Sequence, residues 1–184
     1  MISLRSIRSS DNESYQYMED LLTNSFPVDE YRELSELKTY TDSVSHFFNT
    51  IVQYDEQSVG FVSYWNFSDF HYIEHFAIDP TLRNGGYGRK LIDFLKKKLN
   101  SPILLEVELP ENETAQRRIR FYERQEFKLW KKKYMQPSYK KGSRPIPMHL
   151  MVHGGLSEKS DFEFVKNTLH KEVYGMFGES NLFI

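Results

Sequence analysis

Residues 71–99 read HYIEHFAIDPTLRNGGYGRKLIDFLKKKL, and this stretch determines how the rest of the chain is interpreted. The run Tyr72 to Ile78 predicts a strand, which ends at Asp79-Pro80 because proline cannot extend a sheet ladder. A Gly-rich turn follows, and apolar residues at helical spacing then predict an amphipathic helix that stops at Asn100. The apolar residues of this helix are Leu91, Ile92, Leu95 and Leu99.

The turn between this strand and this helix has the properties of an anion site. Glycines leave the backbone N–H groups accessible, and the start of a helix carries unpaired N–H groups and a partial positive charge. These features favour a phosphate or pyrophosphate, whereas the competing interpretation is a connection that needs glycine only to turn tightly. The predicted phosphate-binding residues are Arg83, Asn84, Gly85, Gly86, Tyr87, Gly88 and Arg89.

Composition narrows the classes of protein. A chain of 184 residues is long enough for one domain with a sizeable core. A net charge of −2 gives no global attraction to nucleic acid or anionic membrane, and no apolar run is long enough to span a bilayer. The chain has no cysteine, its six histidines form no ligand-spaced cluster, and its N-terminus has no signal-peptide pattern. We therefore expect a cytoplasmic protein with no metal site.

Two motifs carry a family resemblance. Arg83, Gly86 and Gly88 fill the pattern Arg/Gln-x-x-Gly-x-Gly/Ala after a strand, and residues 121–127 read FYERQEF, close to Phe-Tyr-x-x-x-Gly-Phe. Their order, with one helix, one strand and one helix between them, resembles the GNAT superfamily of acetyl-CoA-dependent N-acetyltransferases. The resemblance covers about residues 1–153 and leaves a helical extension of about 156–184 within a single acetyltransferase domain.

The resemblance implies a fold and a cofactor. The fold class is α/β (α+β), with a central, mostly antiparallel mixed sheet that splays between its fourth and fifth strands and is flanked by helices. The fourth strand is then Tyr72–Ile78 and the fifth Pro102–Leu109. Members of the family seat the pantetheine arm of acetyl-CoA in the splay, which implicates Phe76, Ala77, Ile78 and Tyr122 in cofactor binding.

The same resemblance suggests catalytic residues. Glu74 matches a strand position at which many relatives carry the base, and by the period of two it shares a face with Tyr72 and Phe76. His75 would then point to the other face unless a bulge reorients it. Glu106 and Glu108 on the next strand are alternative bases. Tyr122 matches the tyrosine that protonates the departing thiolate, and a backbone N–H near Ile78 would stabilise the oxyanion.

One residue departs from the family pattern. Glu126 stands where the motif has glycine, before Phe127. An L residue held at positive φ costs about 1 kcal/mol, so we expect this turn to be reshaped.

Other readings of the chain remain open at this stage. The leading hypothesis is acetyl transfer to a small-molecule or protein amine, and the main alternative is a non-catalytic acyl-CoA-binding regulatory module. A dinucleotide-binding domain is disfavoured because the spacing G-x-G-x-x-G is absent. A nucleic-acid binder would use the basic stretch Lys128 to Arg144, but the net charge opposes it. The apolar stripe of the terminal helix, Ser157 to Tyr174, must cover the sheet or form a homodimer.

Overall fold

The structure is a computed structural model that describes residues 1–140 and 142–176. Its strands are β1 Ile2–Ser6, β2 Phe47–Tyr54, β3 Gln57–Asn66, β4 His71–Ile78, β5 Ile103–Glu108, β6 Lys128–Leu129, β7 Tyr134–Gln136 and β8 Ile146–His153. Its helices are α1 Asn12–Ser25, α2 Leu34–Ser43, α3 Tyr87–Leu99, α4 Glu113–Glu123 and α5 Glu158–Thr168. Short 3₁₀ turns lie at Val28–Glu30 and Pro80–Leu82, and a π-helical turn, Leu169–Val173, follows α5.

The strands form one sheet in the order β1-β2-β3-β4-β5-β8-β6, with β7 also paired to β8. Each neighbouring pair is antiparallel except β4 and β5, which α3 connects as a parallel crossover. The mixed, mostly antiparallel sheet flanked by helices confirms the predicted fold class.

The parallel pair β4–β5 separates soon after it begins. Residues 71–73 of β4 pair with residues 103–105 of β5, and the pairing stops at Ile73 opposite Leu105. Beyond that point the two strands diverge, so the edge of β4 that faces β5 carries unpaired backbone groups as far as Ile78. The splay predicted between the fourth and fifth strands is therefore present.

A bulge in β4 changes which side chains share a face. Ser63 of β3 pairs with His75, but the next residue pairs with Ile73, so Glu74 has no partner across the ladder. Glu74 and His75 consequently lie on the same side as Tyr72, whereas Phe76 packs into the core on the opposite side. The expected grouping of Phe76 with Glu74 is wrong, and the reorientation of His75 by a bulge is observed.

The sheet separates two apolar cores. On one face lie α1, α2 and α5, with buried residues such as Met18, Leu37 and Val165. On the other face lie α3 and α4, which bury Leu91, Leu95 and Ile119 among others. The amphipathic stripes of these helices account for both cores, since each helix buries its apolar face against the sheet.

The structure corrects two details of the sequence interpretation and decides between two alternatives for a third. Apolar spacing predicts a second helical region from about Asp29 to Phe48, broken near Thr39 to Asp42, but α2 spans only Leu34–Ser43 and β2 already begins at Phe47. The sequence also predicts a strand from Phe127 to Met135 with a Lys-rich outer end, whereas the structure has two short strands in this region, β6 and β7. The terminal helix covers the sheet, with Phe162, Val165, Leu169 and Val173 buried in the same core as α1. The last residues of the predicted extension, 177–184, lie outside the described residues.

Within the described part of the chain, no helix is both long enough and apolar enough to cross a membrane.

Candidate active site

A cavity of about 430 Å³ opens where β4 and β5 diverge. It extends from Arg83, in the Gly-rich turn, along the free edge of β4 to Glu106 on β5. One wall is helix α4, which contributes Arg117, Arg118 and Tyr122 among others. The remaining lining residues include Ser25, Phe26, Ile73, Glu74, Phe76, Ala77, Ile78, Leu105, Thr114 and Phe121. The splay in the sheet thus creates a single cleft that several predicted site residues line.

The Gly-rich turn closes one end of this cleft and starts α3. Gly86 is the N-cap residue and has φ +74°, a conformation that glycine adopts without strain. The first intrahelical bond is donated by the Lys90 N–H to the Gly86 carbonyl, 3.1 Å away, so the three preceding N–H groups have no partner within the helix. A Cβ on Gly85 would lie 2.6 Å from the Tyr87 ring, so a larger residue at position 85 would displace that ring. The turn therefore offers free N–H groups at a positive helix end, as an anion site requires.

The two arginines of the turn are placed differently. Arg83 lines the cleft, where its charge would face a bound anion. Arg89 lies on the outer side, beside Phe121 and Arg124, and its Nε is 3.7 Å from Asp93. Of the two, Arg83 is the better placed to contact a phosphate in the cleft.

Glu74 sits at the bulge of β4, but its side chain points away from solvent. The side chain is 1% exposed although the residue as a whole is half-buried, so its accessible part is backbone. Oε1 accepts a bond of 2.6 Å from Arg32 Nη2, and Oε2 accepts one of 2.7 Å from Trp65 Nε1. Burial alone would raise the pKa of Glu74, but the Arg32 guanidinium outweighs it and holds that pKa below its ordinary value. An ion-paired carboxylate of this kind is a weak base.

Glu106 has a contrasting environment on the neighbouring strand. Its Oε2 accepts hydrogen bonds from the Tyr72 hydroxyl at 2.9 Å and from Gln136 Nε2 at 2.7 Å. Oε2 also accepts a bond of 2.7 Å from Tyr174, and Oε1 accepts one from Tyr134. Burial raises the pKa of Glu106, since it outweighs the opposing effect of these four donors. Glu106 is thus a carboxylate in the cleft with neutral partners and an elevated proton affinity.

Two further carboxylates interact with Arg118, which lines the cleft. Glu108 accepts a bond of 2.5 Å from Arg118 Nη1, in a half-exposed ion pair. Glu30, in the turn between α1 and α2, is raised in pKa to about 7 by burial and by the negative charge of Glu108, with Arg118 opposing. Because Arg118 neutralises Glu108, this alternative base is less available than Glu106.

Tyr122 faces the cleft from the last turn of α4. Burial raises the pKa of its hydroxyl to about 12, Arg118 lowers it and Glu108 adds to the increase. Among the described residues no hydrogen bond contributes to the environment of the Tyr122 hydroxyl. The Tyr122 ring packs edge-on against Phe127, with centroids 5.5 Å apart. The phenol is therefore protonated and available to a molecule in the cleft.

The helix that carries Tyr122 ends in a complete Schellman motif. The Phe127 N–H donates to the Tyr122 carbonyl at 3.1 Å, and the Glu126 N–H donates to the Glu123 carbonyl at 2.9 Å. Glu126 itself has φ +66°, the left-handed conformation for which glycine is preferred. The expectation that this turn is reshaped is wrong, since Glu126 adopts the glycine conformation and pairs with Lys96 Nζ at 3.0 Å.

The structure brings most of the predicted site residues together and adds others. Glu74, Phe76, Ala77 and Ile78 of β4 line one cleft with Arg83 and Tyr122. The turn from Asn84 to Gly86 and the first residues of α3 follow Arg83, with the Arg89 side chain on the outer side. Sequence analysis missed Arg32 and Trp65, the partners of Glu74, and Tyr174, a partner of Glu106. It also missed Arg118, which the spacing of four residues before Tyr122 places on the same helix face. No comparable spacing links Arg32 or Tyr174 to the site.

Across the described residues, no three His, Cys, Asp or Glu side chains are grouped closely enough to hold a metal ion.

Comparison with known proteins identifies the family. The sequence model of the Acetyltransferase (GNAT) family matches residues 7–127. A solved structure named as a GNAT-family acetyltransferase from Bacteroides thetaiotaomicron is 48% identical, with a TM-score of 0.93 over 95% of this chain and 99% of that one. YjbC of Bacillus subtilis (strain 168), named as an acetyltransferase, is 33% identical over 109 residues.

That alignment spans 58% of this chain and 54% of YjbC, so the chain matches about half the length of this curated relative. An aminoglycoside 6'-N-acetyltransferase complexed with coenzyme A shares the fold, with a TM-score of 0.59 and 15% identity over 82% of this chain and 96% of that one. The family match covers most of the chain and includes both sequence motifs, Arg83 to Gly88 and Phe121 to Phe127. The chain is a member of the GNAT acetyltransferase family.

Proposed function

We propose that this protein transfers an acetyl group from acetyl-CoA to a primary amine by direct attack within a ternary complex. The observation that carries the proposal is the single cleft that joins Arg83, the free edge of β4, Tyr122 and Glu106. Such a cleft can hold a cofactor and an amine in line, which supplies much of the rate enhancement in a bimolecular transfer. The acceptor is a small molecule or a protein with a free amine.

The cofactor would lie along the part of the cleft nearest α3. Its pyrophosphate fits the free N–H groups of the Gly-rich turn, with Arg83 adding a charge-assisted contact. Its pantetheine arm fits the edge of β4 at Phe76, Ala77 and Ile78, where the backbone groups are unpaired. When bound, acetyl-CoA supplies an activated thioester, and a backbone N–H near Ile78 would donate to the carbonyl oxygen as it gains charge.

Among the three carboxylates considered for the base, we favour Glu106. An attacking amine must be neutral, so a base with a raised pKa in contact with the cleft is suited to accept its proton. A carboxylate has about four acceptor positions, and among the described residues Oε1 receives only the bond from Tyr134. Glu74 was the first prediction, but its carboxylate is engaged by Arg32 and Trp65.

Tyr122 is proposed as the acid that protonates the leaving thiolate. Its elevated pKa keeps the phenol protonated before transfer. Burial in the same cleft also raises the pKa of a thiol, which narrows the difference between donor and acceptor. The free hydroxyl and its position in the cleft support this assignment.

Calorimetric titration with acetyl-CoA, with NAD as the control ligand, tests the proposal first. We expect micromolar binding of acetyl-CoA and none of NAD. Thiol release is then measured with a panel of primary amines that includes a polyamine, a lysine peptide and peptides with free N-termini. Binding together with release identifies an acetyltransferase. Binding without release for any amine would instead favour the acyl-CoA-binding regulatory module, and failure to bind acetyl-CoA would contradict both.

A further inference from the structure

The Glu106 carboxylate is held by side chains from three separate segments of the chain. Tyr72 comes from β4, and Tyr134 and Gln136 come from β7. The third segment lies beyond α5, where the Tyr174 hydroxyl approaches Oε2 to 2.7 Å. Tyr174 lies outside the region matched by the family model, which ends at residue 127.

The π-helical turn that follows α5 delivers Tyr174 to this position. Leu169 and Val173 of this turn are buried in the core beneath the sheet. The Val173 carbonyl accepts a hydrogen bond of 3.4 Å from Arg32 Nη2, the same nitrogen that binds Glu74. Extra residues in a helical turn often mark functional sites, because they re-aim the side chains that follow. The burial of Leu169 and Val173 and the hydrogen bond from Arg32 together fix the backbone immediately before Tyr174.

The hydrogen bonds around Tyr174 determine where its proton points. Its oxygen accepts from Gln136 Nε2 at 2.9 Å and from the Tyr139 hydroxyl at 3.4 Å. A phenol has a single proton to donate. The Tyr72 hydroxyl lies 3.2 Å from the Tyr174 oxygen, but its proton is already donated to Glu106 Oε2. Of the two acceptors left to Tyr174, the charged Oε2 at 2.7 Å is nearer than the Tyr72 oxygen, so Tyr174 acts as a donor to the carboxylate.

We propose that Tyr174 is a positioning residue that holds the Glu106 carboxylate in its orientation at the acceptor end of the cleft. By this assignment the segment after α5 forms part of the acetyl-transfer site in addition to covering the sheet. The catalytic consequence rests on the proposed function, because it takes Glu106 as the base. The effect of Tyr174 on the pKa of Glu106 does not depend on the proposed function, since a donor to Oε2 stabilises the ionised form of Glu106 whether or not acetyl transfer occurs.

Several titratable groups share this environment. The tyrosines Tyr72, Tyr134 and Tyr174 contact Glu106 directly, and burial raises the pKa of each, so they stay neutral across the range in which Glu106 titrates. Tyr139 contacts Tyr174 and is likewise neutral. The charged groups nearby are Glu30 with the Glu108–Arg118 pair, and Glu74 with Arg32. Replacing Tyr174 with phenylalanine removes one hydrogen-bond donor from Glu106 and leaves all of these charges in place.

The first test measures Glu106 directly. The protein is labelled with ¹³C at the glutamate carboxyl carbon, and the Glu106 signal is identified by its loss in Glu106→Gln. We expect Tyr174→Phe to raise the titration midpoint of Glu106 by about 1 pH unit, because the ionised form loses a donor. Tyr64→Phe is the matched control, since it removes a buried tyrosine hydroxyl from the opposite face of the sheet and should leave the midpoint unchanged. An unchanged midpoint in Tyr174→Phe would overturn the proposal.

The second test uses activity and separates this proposal from the proposed function. In the pH profile of kcat/KM, Tyr174→Phe should move the base-dependent limb in the same direction as the carbon signal. If the titration midpoint of the Glu106 carbon signal shifts but the limb of the kcat/KM profile does not, Tyr174 is a partner of Glu106 and Glu106 is not the base. A moved carbon signal in a protein that acetylates no amine would reject acetyl transfer and leave the positioning role intact. Binding of acetyl-CoA by Tyr174→Phe and by Tyr64→Phe verifies that these two variants fold.

Discussion

Arg32 Nη2 donates a hydrogen bond of 2.6 Å to Glu74 Oε1, and the two side chains are only 3% and 1% exposed. This buried ion pair joins the segment before α2 to the bulge of β4, at the point where β4 begins to diverge from β5. Tyr40 lies over the guanidinium, with its ring centroid 4.0 Å from Cζ. The pair therefore holds the strand edge that lines the cleft, and we expect it to contribute to the free energy of unfolding.

Glu74→Gln should lower the free energy of unfolding by about 3 to 5 kcal/mol, because it leaves the buried Arg32 charge without a counter-ion. Urea denaturation followed by circular dichroism measures this change. Glu163→Gln is the control, since Glu163 pairs with Lys166 on the exposed side of α5 and should leave the unfolding curve unchanged. A stability equal to that of the parent would show that the pair contributes little.

Glu106→Gln should reduce kcat by about 10²- to 10⁴-fold if Glu106 is the base. The loss should be smallest at high pH, where more of the acceptor amine is already neutral. The comparison with Glu74→Gln decides between the two assignments, provided that both variants are assayed at a temperature at which they remain folded. A larger loss of kcat in Glu74→Gln, with the fold intact, would return the base role to Glu74.

Arg83→Ala should weaken coenzyme A binding by about 1 to 3 kcal/mol, through loss of a charge-assisted hydrogen bond to phosphate. Calorimetry at low and high salt measures the effect, which should shrink as salt screens the charge. Lys98→Ala is a suitable control, because Lys98 lies in the last turn of α3, at the opposite end of that helix from the Gly-rich turn. Equal losses in the two variants would mean that Arg83 acts only through net charge.

Tyr122→Phe should lower kcat with little change in the affinity for acetyl-CoA, because the ring stays packed against Phe127 while the proton donor is lost. Steady-state kinetics and calorimetry on the same preparation separate these two quantities. The loss of kcat in Tyr122→Phe should be smaller for acyl donors with a more acidic thiol, because such a thiolate leaves without needing to be protonated. Turnover equal to that of the parent would exclude Tyr122 as the acid.

Glu126→Gly should raise the midpoint of thermal unfolding, because Glu126 holds the left-handed conformation that closes the Schellman motif. An L residue in that conformation costs about 1 kcal/mol relative to glycine, which corresponds to about 2 to 4 °C in a domain of this size. Glu126→Ala is the control, as it loses the contact with Lys96 but keeps the strain. A gain in Glu126→Ala as large as in Glu126→Gly would trace the effect to the side chain.

Local sequence pattern was sufficient for the architecture around the cleft. The strand–turn–helix unit at 71–99, the burial of Leu91, Ile92 and Leu95, and the inward face of Tyr122 are all set by periodicities of 2 and 3.6. The free N–H groups of the Gly-rich turn follow from local backbone geometry in the same way. Pattern was less reliable between elements, where the extent of α2 and the break between β6 and β7 depend on packing with the sheet.

The chemistry of the carboxylates was decided only by the tertiary structure. Glu74 and Glu106 read alike in sequence, each a glutamate within an apolar strand. The fold pairs Glu74 with Arg32, 42 residues away, and surrounds Glu106 with neutral donors that include Tyr174, 68 residues away. The sequence by itself determined the strand–turn–helix unit at 71–99, because this unit depends on residues close in the chain, and its motifs carried the resemblance that implied the fold class. The proton affinity of a buried carboxylate depends on charges and donors within a few ångströms, and folding draws these from distant parts of the chain.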